Sequence, residues 1–520
     1  VMDHGFGNWA TIHALRNADR VAYVDGPEGV ETTYAQLEER TNRLADALRT
    51  KGVAPGDRVA LLCLNSPQMM EIYLAVAKLG AISVPVNFRL HPDEIAYVLG
   101  DSGASLLFVS TAFLPAATQA LENETSVRET IRVPALAERV AGEGGDYEPL
   151  LASGAPERVV AEVGHDDVCV IMYTSGTTGR PKGAMLTHGN FFYNAINAMG
   201  FASGIGRTDV TISAAPLFHI GALGVHTLPF LLVGGSVVVI EAFAPDQWVE
   251  AAARHHVTQA FLVPAMWAAV AASPALETAD LSSLRLAISG GAPCPLPVIS
   301  AMRGHGVAFT EGFGMTETSP NAACLQPEDV VEHAGSVGRP VAFMDFRILD
   351  EMDQDVPQGE VGELCLRGPS IFVGYWNRPE ATQEAIRDGW FHTGDMARVD
   401  AEGFYSLVDR KKDMVITGGE NVYPIEVEQV LYGHPDVVEV AVIGVPDDTW
   451  GEIVTAVVVR TDGSTLTTDE LRDWARERIA HFKAPRRVTF IDELPRNATG
   501  KILKRELRVS EGGGDASVSR

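Results

Sequence analysis

Residues 174–183 read TSGTTGRPKG, and none of them builds a core. Gly176, Gly179 and Gly183 permit tight turns and close approach of a guest to the backbone. Thr174, Ser175, Thr177 and Thr178 offer hydroxyl donors, and Lys182 adds a movable positive charge. The apolar run 168–172 in front reads as a buried strand, and helical residues follow from about Gly189. A glycine-rich turn between strand and helix aims several N–H groups at one anion, so the natural guest is a polyphosphate. The bland alternative, a flexible surface linker, leaves the donors, the lysine and the preceding strand unexplained. The commoner GxxxxGK[ST] loop does not fit, because Pro181 stands where its second glycine should be.

The elements around this loop must supply the rest of a large protein. With 520 residues the chain is too long for one core. Its hydrophobic fraction of 46% and charged fraction of 21% are ordinary for a globular protein. The net charge of −27 repels nucleic acid and anionic membrane surfaces, so an anionic substrate needs locally placed positive charge. Lysine is scarce: Lys51, Lys78, Lys182, Lys411, Lys412, Lys483, Lys501 and Lys504 are all there are, and only Lys51 and Lys78 fall outside the glycine-rich and C-terminal segments. The five cysteines are scattered singly, which predicts free thiols in a reducing cytoplasm. The apolar run 228–240 is broken by Gly234 and Gly235 and is too short to span a bilayer.

The pattern predicts an α/β fold. Helices are expected at 33–51 and 66–79, and strands at 58–64, 104–110, 168–172, 210–214, 237–240, 260–263 and 284–289. Such alternation implies mainly parallel sheets covered by helices, with ligands at the carboxyl ends of strands. Residues 1–410 form the large domain in this reading. Beyond the charged and glycine-rich stretch that starts at Asp409, residues 411–510 read as a small α+β domain. Its helices are expected at 424–432 and 468–480, and its strands at 439–445, 452–460 and 487–491. The polar tail 511–520 reads as disordered.

TSGTTGRPKG closely resembles the phosphate-binding loop of the adenylate-forming superfamily: acyl-CoA synthetases, firefly-type luciferases and peptide-synthetase adenylation domains. Four further segments match in order: GFGMTE at 312–317, HTGD at 392–395, DRKKDMVITGGENVYPIEVE at 409–428 and PRNATGKILKREL at 495–507. The resemblance covers nearly the whole chain. It implies that a carboxylate and ATP give an acyl-adenylate and pyrophosphate, and that a thiol then attacks the adenylate.

The resemblance also implies roles. Residues 174–182 would hold the β- and γ-phosphates. Thr316 would touch the α-phosphate, and Glu317 would hold Mg²⁺ as a hard oxygen ligand. Gly290, Gly291 and Ala292 would line one side of adenine and Phe313 the other, within the GFG turn of Gly312, Phe313 and Gly314. Asp395 would accept from both ribose hydroxyls, with Arg410 near the same ribose. Lys501, in a small polar turn before a helix, would bridge the carboxylate and the α-phosphate. His219, in PLFHIGALG, would stand at the acyl entrance; a satisfied structural histidine is the alternative.

For the thiol, Arg89, Trp450, Phe482 and Lys483 resemble CoA contacts, and Gly418 and Gly419 resemble the pantetheine tunnel. Lys412 matches the pivot about which the small domain rotates between half-reactions. The implied activity is an ATP-dependent acyl-CoA synthetase using ATP, Mg²⁺ and coenzyme A, without nucleic acid or a transmembrane segment, and compatible with a homo-oligomer. Its rivals are an enzyme loading a carrier protein, a luciferase-like oxygenase, and a non-catalytic adenylate sensor. Segments 218–226, 261–267 and 318–323, mostly apolar or small, would line an acyl pocket for a fatty, aromatic or alicyclic acid.

Overall fold

The computed structural model describes residues 3–512 except 27, 28, 124, 175–179, 203, 411, 412, 419, 448 and 497–501. Two compact units divide the chain: Val1–Phe346 with Leu366–Phe391, and Arg347–Cys365 with His392–Arg520.

The first unit holds two large sheets. One runs in the order Glu129–Val133, Leu106–Ser110, Arg58–Leu62, Ile82–Pro85, Val168–Thr174, Lys182–Thr187. Its strands are parallel except for the last pair. The nine-stranded sheet is parallel through its centre, where Ala308–Gly314, Leu286–Gly290, Gln259–Leu262, Val210–Ser213, Ser236–Val239 and Val21–Asp25 lie side by side. Antiparallel strands close both edges.

Local chemistry explains the helices that cover these sheets. Tyr34–Thr50 starts where Thr33 accepts the Gln36 N–H (3.3 Å) and the Gln36 side chain accepts the Thr33 N–H in return (2.8 Å). Its buried Leu37, Thr41, Leu44 and Leu48 fall on one stripe. Pro67–Lys78, capped by Ser66 with Pro67 in the first turn, is buried on every side and is apolar nearly throughout.

A five-stranded antiparallel sheet comprises Asp345–Leu349, Gly362–Arg367, Trp390–Val399, Ile386–Arg387 and Tyr405–Arg410. The sequence reading did not place it.

In the second unit the long strands Val437–Asp447 and Gly451–Arg460 pair antiparallel, with Arg487–Phe490 parallel beside the latter. Their side chains alternate between two cores. Val440, Val442, Val454 and Val458 pack with Val427, Leu431 and Leu471 from the helices Pro424–Tyr432 and Thr468–Arg476. Ala441, Ile443, Val445 and Val457 pack with Leu494 and Leu507 on the other face. Strands buried on both faces read as continuous Val/Ile/Ala runs, as these do.

Candidate active site

The glycine-rich loop does not join a strand to a helix. It links Val168–Thr174 to Lys182–Thr187, and the two form an antiparallel hairpin whose register pairs Thr174 with Lys182. The reason is pattern: KGAMLT alternates closely enough to pair with VCVIMYT, and Gly183 allows the approach. A Cβ at Gly183 would come within 2.6 Å of Ile171. The helix begins only at His188, capped by reciprocal bonds between Thr187 and Asn190 (3.1 and 2.9 Å). The helix N-terminus therefore follows the second strand of the hairpin and not the loop itself.

Both stems of the loop are tied to the helix Pro92–Ser102. Tyr173 donates to Asp101 (2.7 Å), and Tyr97 donates to the Pro181 carbonyl (3.2 Å). Arg378 donates to Asp101 (2.7 Å) and the Trp376 indole to the Asp101 carbonyl (3.1 Å). Burial, then the bond to Asp101, pushes the Tyr173 phenol well above its ordinary range, so it stays a donor.

The second predicted cluster forms at the ends of adjacent parallel strands, where Gly290 pairs with Gly312. A Cβ at Gly290 would lie 3.1 Å from the Gly312 carbonyl oxygen. Gly291 and Ala292 are exposed beyond it, and Phe313 is half-buried. Glu311 accepts the Cys294 N–H (2.6 Å), which fastens the 290–294 segment to the neighbouring strand. At Gly314 only glycine fits, because a Cβ would lie 1.6 Å from the Pro320 carbonyl oxygen. The chain then turns through Thr316–Thr318, with Thr316 half-buried and Glu317 buried.

Sequence reasoning missed Tyr375, which joins these two clusters. Residues 373–376 run beside 183–185: Val373 donates to Met185 (3.1 Å), Met185 to Gly374 (2.9 Å) and Trp376 to Gly183 (2.8 Å). Tyr375 therefore lies between the loop and the turn. Its hydroxyl donates to Glu317 Oε1 (2.9 Å), and Lys182 Nζ stands 5.2 Å from its ring centre. The Glu317 carbonyl also accepts the Phe372 N–H (2.8 Å). An aromatic residue inside GYWNRP, where no periodicity explains it, was the available signal.

The three predicted acyl segments meet. Cβ atoms built at Gly221 and Gly290 would both touch the Phe261 ring, at 3.2 and 3.3 Å, so one ring contacts both segment 218–226 and the strand end at Gly290. Gly224 lies against Pro320, where a Cβ would come within 2.5 Å. The His219 ring lies tilted at 44° against that of Phe218, with ring centres 4.3 Å apart. Burial, and secondarily the charge of Arg89, pushes the His219 imidazole down to about 4, so it is neutral at neutral pH. Arg89 is exposed, 5.5 Å from the Phe88 ring centre, and Phe88 meets Phe218 edge-on at 5.0 Å.

The remaining predicted residues belong to the second unit. Asp395 is buried, and its backbone pairs with that of Arg410. Gly418 donates to the Trp450 carbonyl (2.8 Å). With φ at +61°, a Cβ on Gly418 would come 2.9 Å from the indole. Arg486 covers that indole at 4.0 Å, a contact the sequence did not suggest. Phe482 is exposed, and Lys483 is engaged by both oxygens of Glu426 (2.7 Å each). Ser175, Gly176, Thr177, Thr178, Gly179, Lys412, Gly419 and Lys501 lie outside the described residues, and Arg410 is described by its backbone alone.

Among the described residues, no group of three or more His, Cys, Asp or Glu side chains is placed to hold a metal ion, and no helix is long and apolar enough to cross a membrane. Glu317 is a buried carboxylate, a donor of the kind that fits Mg²⁺, which typically keeps several waters and binds one or two carboxylates plus phosphates.

The chain is similar in sequence and fold to known proteins. Residues 11–376 match the AMP-binding enzyme family, and residues 426–501 match the AMP-binding enzyme C-terminal domain. A feruloyl-CoA synthase of an Amycolatopsis species is 46% identical over 508 residues, 97% of this chain and 99% of the relative. An indoleacetate–CoA ligase of Aromatoleum aromaticum is 39% identical over 509 residues, 96% and 97% of the two chains. The o-succinylbenzoate CoA synthetase of Bacillus subtilis, solved with its acyl-adenylate intermediate, superimposes with a TM-score of 0.85 at 31% identity over 99% of both chains.

Proposed function

The chain belongs to the AMP-binding enzyme family and is an ATP-dependent, AMP-forming acid–CoA ligase, and we propose that its acid is largely apolar, aromatic before fatty or alicyclic. One observation carries the proposal on the acid: the small and apolar segments 218–226, 261–267 and 318–323 meet, Gly221 against the Phe261 ring and Gly224 against Pro320, and the Phe261 ring also abuts the strand end at Gly290. The aryl substrates named for two relatives support it.

The chemical difficulty is electrostatic. A carboxylate oxygen must attack the anionic α-phosphorus as the bond to pyrophosphate breaks. In this reading, the loop donors and Lys182 take the β- and γ-phosphates, Thr316 donates to the α-phosphate, and Lys501 bridges the two approaching anions. Glu317, together with phosphate oxygens, would hold Mg²⁺, which would supply charge neutralisation to the phosphates. The Tyr375 hydroxyl orients Glu317 for that ligand. Gly290, Gly291, Ala292 and Phe313 enclose the adenine, and Asp395 and Arg410 hold the ribose. Neutral His219 offers a polar edge to the acyl carboxylate without adding charge.

In the second half-reaction the CoA sulfur attacks the adenylate carbonyl carbon, the thiol proton is lost, and AMP leaves. We assign Arg89, Gly418, Gly419, Trp450, Phe482 and Lys483 to the CoA side, with residues 411–510 turning about Lys412 between the steps.

A panel of aromatic, fatty and alicyclic acids, incubated with ATP, Mg²⁺ and CoA and followed by mass spectrometry, tests the proposal. Acyl-CoA with AMP from apolar aromatic acids is expected. Turnover confined to short or polar acids would overturn it.

A further inference from the structure

Asp395 follows Gly394, whose φ of +70° is a conformation that side chains rarely adopt. The turn 392–395 is fastened to residues 363–365 through His392, Thr393 and Gly394. Glu363 Oε1 accepts the Gly394 N–H (3.2 Å), and Glu363 Oε2 lies 3.4 Å from His392 Nδ1. Cys365 Sγ lies 3.2 Å from that same nitrogen. Thr393 Oγ1 donates to the Leu364 carbonyl (2.7 Å) and accepts the Asp395 N–H (3.0 Å). The Glu363 and His392 side chains are only 9% and 5% exposed.

The strands Gly362–Arg367 and Trp390–Val399 are already neighbours in one sheet, so their pairing does not need a buried carboxylate. A buried carboxylate is costly unless it is hydrogen-bonded. Here its bonds go to the backbone and side chain of the residues just before Asp395, and they fix the peptide that aims it.

We propose that Glu363 is a positioning residue for the nucleotide ribose, acting through the Gly394 peptide to present Asp395; this rests on the reading of Asp395 as the ribose acceptor. A carboxylate that discriminates a hydroxyl does so only when aimed, and misplacement by an ångström is enough to lose the effect.

The test compares ATP with 3′-deoxy-ATP in the full-length enzyme. The native enzyme should favour ATP by about 10- to 100-fold in kcat/KM. Asp395→Ala should abolish that preference. Glu363→Ala should compress it below about threefold, raising KM for ATP more than it lowers kcat and leaving KM for the acid unchanged. Glu363→Gln keeps an acceptor for the Gly394 N–H and should restore the preference. Should Glu363→Ala not fold, Thr393→Val cuts the bond to the Asp395 N–H and must compress the ratio likewise. A native enzyme without preference overturns the ribose reading and this inference together. A preference lost in Asp395→Ala but intact in Glu363→Ala or Thr393→Val overturns the inference alone.

Discussion

The Lys182–Tyr375–Glu317 cluster and the Gly418–Trp450 edge are built differently. The first is assembled from chain segments nearly two hundred residues apart, held by main-chain bonds between 183–185 and 373–376 and by the buried Glu317. The second is held by local bonds, Gly418 N–H to the Trp450 carbonyl and Trp450 N–H to Asp447 (3.0 Å), and by a stack of Arg486 on a partly exposed indole. A group that must meet a developing charge needs a fixed position, and backbone pairing gives one. A surface that receives a long, flexible thiol carrier tolerates more freedom. Substitutions in the first region should therefore act sharply on adenylation, and those in the second should act in a graded way on thioester formation.

The largest separation should come from two lysines. Lys501→Ala should lower adenylation by about 10²–10³-fold and leave thioester formation from supplied acyl-adenylate intact. Lys412→Pro should do the reverse, harming thioester formation more. Single-turnover assays of each half-reaction decide this, and equal loss in both steps would break the division. Next, Tyr375→Phe removes the donor to Glu317 and should slow adenylation by about tenfold while sparing the thioester step. Unchanged adenylation would remove Tyr375 from the site. Smallest, Gly418→Ala places a methyl against the Trp450 ring at a left-handed φ, a strain of about 1–3 kcal/mol. Thioester formation should fall about three- to tenfold with adenylation within twofold, and a matched fall in adenylation would contradict the assignment.

The alternating strands and helices were legible because the buried strands are short, mostly apolar runs and helices such as Tyr34–Thr50 carry a cap and a buried stripe. Pro424–Tyr432 was read to the residue. The strand Lys182–Thr187 was not read, because three of its six residues are small or charged and its pairing with Val168–Thr174 is a tertiary fact. The antiparallel sheet of 345–410 escaped for the same reason: its strand Trp390–Val399 mixes His, Thr, Gly and Asp, which serve the turn rather than the core. Motif residues such as Glu317 and Asp395 were legible because their neighbours name them. Tyr375 and Glu363 were not, since each acts through a partner far away in sequence.

In the proposed reaction the acid is adenylated before any thiol enters. The direct measurement is exchange of labelled pyrophosphate into ATP, with the acid present and CoA absent. Exchange is expected for the acids that become CoA thioesters, and none without acid. Product formation that requires CoA from the outset, with no exchange in its absence, would contradict it.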